Sequence, residues 1–222
     1  MLKKLLDSLE LRLGRMGGIN NLMTWIVLIM GGVYVADLVV APSLGISLSS
    51  YLVFSKEAIL RGQIWRLVTF IFLPPTSSLL FIIVQLLFYN FLGNMLQSHW
   101  GRLRFNLFYF TGMIFNIIAG MITGYATSYY LNLSLFLAVA LLYPEMQINI
   151  YGILPIRMKW LALVDVLLLL PGLLTGTWGM RVAIVLSLAN VLLFFYDRFL
   201  RQFKEARRRY EWKKNWRNAK WR

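Results

Sequence analysis

Gly62-Gln63-Ile64-Trp65-Arg66-Leu67-Val68-Thr69-Phe70-Ile71-Phe72-Leu73-Pro74-Pro75 places an adjacent Trp and Arg at the head of a short apolar run that two prolines break. A Trp–Arg pair at such a border suits the membrane–water interface, where the indole lies at headgroup level and the guanidinium reaches phosphates or carbonyls. The surrounding composition makes the solvent lipid. Of 222 residues, 59% are hydrophobic and 14% charged, against about 45–50% and about 25% in a soluble domain. The net charge of +14 suggests nucleic acid until it is located: eleven of the 23 Lys and Arg residues lie after residue 197. With no cysteine and one histidine, His99, disulfides and thiolate or imidazole metal sites are not expected, and no cofactor is implied.

Outward from that stretch, apolar runs recur at about 22–41, 76–97, 104–124, 129–144, 159–176 and 180–199. Each approaches the ~20 residues that cross a hydrocarbon core, so six spans are expected. Lys and Arg crowd residues 1–20, the 98–104 link, the 145–159 link and the tail, and are scarce in 125–128 and 177–181. By the positive-inside rule both termini are expected in the cytoplasm. Three parts follow: an amphipathic segment over 1–20 lying on the membrane rather than a cleavable signal, a membrane domain over 21–199, and a basic aromatic tail over 200–222. The 42–66 link is too polar to span and too apolar to float free. It is expected to lie half-sunk in the outer leaflet, folded into helical turns that satisfy its own backbone. Trp65 and Arg66 close it, and Thr76, Ser77 and Ser78 offer hydroxyls to cap the second span.

The order and spacing of several pieces resemble the rhomboid superfamily, which holds intramembrane serine proteases, the derlins and inactive relatives. They are Gly62-Gln63-Ile64-Trp65-Arg66-Leu67 with Thr69 and Phe72-Leu73; Leu92-Gly93, Gln97, Gly101 and Leu103-Arg104-Phe105; and Pro144 with Leu154-Pro155-Ile156-Arg157-Met158-Lys159. The pattern is most similar to bacterial multi-pass members. The resemblance implies an all-α polytopic membrane protein, a rhomboid-like six-helix bundle with an interfacial first loop, in a bacterial cell membrane.

It also implies a place for each catalytic group, and other residues hold those places. Proteolytic members carry Gly-x-Ser-Gly on the fourth helix; here Thr127-Ser128-Tyr129-Tyr130 stands there, with Tyr129 at the nucleophile's position. The base is a histidine on the sixth helix, whose polar groups here are Ser187 and Asn190. The oxyanion-assisting Asn and His of the second helix correspond to Gln85 and Phe81. A serine hydroxyl needs a base within hydrogen-bond reach, so no catalytic residue is assigned, and Ser128 and Ser134 are read as capping or packing groups. The expected function is a non-proteolytic membrane protein that binds membrane-protein clients or perturbs the bilayer locally. The alternatives are a serine protease with a rearranged site and a small transporter or channel.

Asp165 and Asn190 are expected at similar depth and are expected to hydrogen-bond, since ionisable groups in lipid are costly. Ser134 with Ala138, and Ala183 with Ser187, have the small-xxx-small spacing of close helix contacts, as do Gly120 and Gly124. Gln85, Asn90, Asn94, Asn106 and Asn116 could form a polar interior. The tail's interleaved aromatic and basic residues point to anionic lipid rather than nucleic acid, and transmembrane clients are the other candidate partners.

Overall fold

A computed structural model describes residues 18–45, 47–74, 78–150 and 154–219 of the chain. The amphipathic segment expected over 1–20 therefore lies, but for its last three residues, outside the described residues, as do Thr76 and Ser77.

The first span is α1, Leu22–Leu44. The 42–66 link then folds into three short helices, α2 (Leu48–Leu52), α3 (Lys56–Leu60) and α4 (Arg66–Thr69), the last running into a 3-10 turn at Phe70–Phe72. Helical turns were expected there, because a backbone at membrane depth must satisfy its own polar groups. α5 (Leu79–Trp100) and α6 (Arg102–Thr123) follow. They are joined by the single residue Gly101 at φ 82° and ψ 164°, a backbone region open essentially to glycine alone. Next come α7 (Ser128–Leu142), a hairpin of β1 (Gln147–Ile150) and β2 (Leu154–Arg157), α8 (Met158–Leu174) and α9 (Trp178–Ala219).

Four of these helices are long and apolar enough to cross a membrane, over Leu22–Ser43, Leu79–Trp100, Arg102–Thr123 and Trp178–Tyr196. The remaining two of the six expected spans, α7 and α8, are 15 and 17 residues long, or about 22 and about 26 Å at 1.5 Å per residue. α7 is interior. It is buried at Ser128 and at every position from Leu131 to Ala140, and it touches α5, α6, α8 and α9. A helix that is apolar all round is a buried one. α8 lies at the edge, with only Met158 and Leu169 buried.

Two glycines of α6 let its neighbours approach. A Cβ on Gly112 would come within 2.7 Å of the Asn190 amide and of Leu131, and one on Gly120 within 2.6 Å of the Phe54 ring. Gly120 thus receives the first loop rather than another spanning helix.

The purely helical expectation fails at the 145–159 link. Polar and apolar residues alternate there, and β1 and β2 pair antiparallel with Gln147 opposite Arg157 and Ile148 opposite Ile156. Glu145 braces the hairpin through Arg157 at 3.0 Å and Lys159 at 2.6 Å. The last helix continues past the boundary expected near residue 199. α9 runs without interruption for 42 residues, about 63 Å.

Candidate functional site

The first loop is held from both ends of α2. The last carbonyls of any helix have no intrahelical partner, and here they meet the Trp–Arg stretch. Arg66 is 7% exposed. Its Nη1 donates to the carbonyls of Ser50 at 2.9 Å and Val53 at 2.7 Å, and its Nε donates to Gln63 Oε1 at 2.6 Å. The Trp65 indole N–H donates to the Tyr51 carbonyl at 3.2 Å, and the Thr69 hydroxyl to that of Leu52 at 3.0 Å. Four successive carbonyls at the C-terminus of α2 and its exit are thus served by one turn of chain. At the opposite end, Asp37 of α1 accepts from the backbone N–H groups of Leu48 and Ser49 and from the hydroxyls of Ser47 and Ser49. Carboxylate at the N-terminus and guanidinium at the C-terminus both match the helix dipole. Phe54, 1% exposed, then plugs the loop into the bundle, edge-on to Phe70 at 5.8 Å.

The three serines that the rhomboid resemblance brings into question each donate to a backbone carbonyl. Ser128 donates to the Leu73 carbonyl at 3.1 Å, Ser134 to that of Leu131 at 2.7 Å, and Ser187 to that of Tyr130 at 2.7 Å. Among the described residues no imidazole or carboxylate bonds to any of these hydroxyls. His99 lies at the other end of α5, with Nδ1 2.9 Å from the Tyr143 hydroxyl. Phe81 is exposed on α5. Asn190 is fully buried, its Nδ2 3.3 Å from the Phe108 carbonyl and 3.4 Å from Ser134 Oγ.

The expected bond between Asp165 and Asn190 is absent. Asn190 turns toward α6 and α7, while Asp165 lines a cleft between α5, α7 and α8. Depth follows from position along a helix; the direction a side chain takes around it depends on packing. The polar interior expected of the amides is also divided into local pairs. Thr24 Oγ1 and Asn94 Nδ2 donate to Asn90 Oδ1, Asn106 donates to the Ile19 carbonyl, and Asn116 donates to that of Gly112.

The cleft has a volume of about 650 Å³. Gln85 and Tyr89 of α5, Tyr129 and Asn132 of α7 and Asp165 of α8 supply its polar groups. Gln85 Nε2 donates to the Tyr89 hydroxyl at 2.8 Å. Asn132 is 1% exposed, and neither its side-chain nitrogen nor its oxygen makes a hydrogen bond of good geometry, although the Tyr89 hydroxyl is near. Asp165 lies within electrostatic range of Tyr129 and Tyr89. Val84, Phe88, Phe136, Val164 and Leu168 complete the walls. Such an arrangement can seat an apolar body that carries one polar group.

Residues 22–211 match the family described as eukaryotic integral membrane protein (DUF1751). The chain belongs to this family. It is a multi-pass integral membrane protein, and the matched residues take in the hairpin and every described helix but for the last eight residues of α9. The family's eukaryotic description gives no support to the bacterial origin expected from the sequence. No curated protein matches the chain.

Two residues of this family member escaped the reading of its sequence. Asp37 sits inside an apolar run of spanning length, and nothing local tells that its partner helix begins eleven residues later. Asn132 lies among apolar neighbours of α7. Its signal was the isolated amide itself, since a buried polar side chain in such a run asks for a partner.

Proposed function

We propose that the chain is a rhomboid-like membrane protein without a proteolytic centre, in which α7 and α8 complete a six-helix bundle and the α5–α7–α8 cleft holds segments of other membrane proteins. The cleft carries this reading: it opens between two helices whose outer residues, Val84 on α5 and Val164 and Leu168 on α8, are exposed, and its floor holds a buried amide. A hydrophobic helix approaching sideways through lipid meets apolar walls first and polar groups last. The committed hydroxyls of Ser128, Ser134 and Ser187 support the non-proteolytic part. A photo-crosslinker at Leu168 should capture membrane proteins in native membranes, and one at Leu38, an exposed position on α1, should not. Labelling of the reconstituted protein by a fluorophosphonate, or cleavage of a helical membrane substrate, would instead establish the rearranged protease. Ion flux abolished by Asp165→Asn would establish the transporter.

Bilayer perturbation is a second reading, favoured by α8. Its outer face is lipid-like in composition, yet its length of about 26 Å falls short of a hydrocarbon core of ~30 Å. The basic tail contacts anionic lipid in this proposal, with both termini on the cytoplasmic side. Flotation of a tail peptide with anionic but not neutral vesicles is the expected result, and equal binding to both would count against it.

A further inference from the structure

The client-binding reading leaves open what the cleft selects, and its polar groups bear on that. Asp165 is the eighth residue of α8, about 10 Å along the axis from the helix start, and so is far from both ends. It is half-buried at the cleft, and among the described residues no cation pairs with it and no hydrogen bond reaches it. An ionisable side chain at that depth ordinarily pairs within its own bundle. Two candidate donors near the cleft are used elsewhere, because the Gln85 amide N–H is given to Tyr89 and Lys159 is given to Glu145, and the Tyr129 hydroxyl, within electrostatic range, carries no positive charge. On the facing wall neither the nitrogen nor the oxygen of the Asn132 amide makes a hydrogen bond of good geometry, at 1% exposure and with the Tyr89 hydroxyl near. A carboxylate only accepts hydrogen bonds, so what it lacks is a donor, best a charged one.

We propose that the cleft recognises transmembrane helices carrying one basic side chain near mid-bilayer, with Asp165 as counter-ion and the Asn132 amide as a further hydrogen-bonding partner. This rests on the cleft being the client site. The apolar walls accept the flanking residues of the client helix, and the basic group completes the one carboxylate that α8 turns toward α5. A neutral polar ligand would satisfy Asn132 but leave Asp165 without a counter-charge, and an acidic one would be repelled.

The test uses the full chain in lipid nanodiscs with three labelled Leu/Ala transmembrane peptides identical but for a central Lys, Leu or Glu. Photo-crosslinking from Leu168 reads out association. The Lys peptide is expected to bind about tenfold more tightly than the Leu peptide, within the range of interhelical polar contacts in membranes, and the Glu peptide no better than the Leu peptide. Asp165→Asn should abolish the difference between the Lys and Leu peptides. Asp165→Lys should reverse the order, favouring the Glu peptide. Equal binding of Lys and Leu peptides to the unaltered protein would overturn the inference while leaving the client site standing. Crosslinking of none of the three would overturn both. The comparison of peptides on the unaltered protein decides the matter even where a variant fails to fold.

Discussion

At the scale of single residues, Arg66 holds more of the structure than its exposed neighbour. Its guanidinium serves two carbonyls and an amide oxygen at 7% exposure, whereas Trp65 is 48% exposed and makes one indole hydrogen bond. Removing a buried donor strands its acceptors, at about 1–3 kcal/mol each. Arg66→Ala should therefore lower stability by about 2–4 kcal/mol in detergent, and Trp65→Ala by about 1 kcal/mol. Thermal melts give the difference. Limited proteolysis should cut the Arg66→Ala protein within residues 45–65 while circular dichroism shows the long helices intact. Gly120 makes a paired prediction. A Cβ there would lie 2.6 Å from the Phe54 ring and 2.8 Å from Ala126, so Gly120→Ala should cost about 1–3 kcal/mol by overpacking. In a Phe54→Ala background the same change should cost measurably less, because contacting residues are not additive. Equal costs in the two backgrounds would mean that the loop does not seat there.

At the scale of elements, α2 shows why a five-residue helix persists. So short a helix is marginal alone, and here both of its ends are capped from other parts of the chain. Asp37→Ala should destabilise the protein by about 1–2 kcal/mol, as loss of an N-terminal cap does, with hydrogen exchange rising first at Leu48 and Ser49. The hairpin depends on an exposed charge cluster. The hydrogen bond from Lys159, then the charges of Lys159 and Arg157, hold the Glu145 carboxyl below its ordinary value of 4.5. A carboxylate depressed on folding stabilises above its unfolded value, and that contribution is lost as pH falls through the folded one. Exchange protection in β1 and β2 should thus be constant near neutral pH and fall in the acid range below 4.5. Glu145→Gln should show little of that loss, and a hairpin equally acid-sensitive in that variant would refute the assignment.

At the scale of the whole molecule, the hairpin, the α5–α6 junction and the C-terminal half of α9 share one end of the bundle, and the first loop occupies the other. α9 continues 23 residues past Tyr196, about 35 Å beyond the membrane-crossing part, while charge is screened within about 8 Å at physiological ionic strength. A tail in register with that helix reaches its own leaflet only by tilting onto it. Trp212 and Trp216, stacked at 6.1 Å and exposed, report which occurs. Brominated lipid should quench their fluorescence in anionic proteoliposomes at low salt, and the quenching should decline as salt rises. Quenching independent of lipid charge would oppose the anionic-lipid proposal.

Much was settled by the chain before any packing. Its apolar runs decide that lipid is the solvent and that long helices form, because a backbone in hydrocarbon must close its own hydrogen bonds. The prominence of Trp65 and Arg66 was also legible, since an interfacial cation beside an indole is a local pattern. Only the tertiary structure decided what those residues grip, that Asp37 caps α2, that α7 is interior, and that Asp165 and Asn190 part company. Hydropathy records how deep a residue lies. The face of a helix that meets a neighbour follows from which small residues, such as Gly112 and Gly120, let another element approach, and that is a property of the assembled bundle. The apolar runs decided the kind of protein; the three-dimensional contact of Arg66 with the end of α2 decided what the Trp–Arg stretch does there.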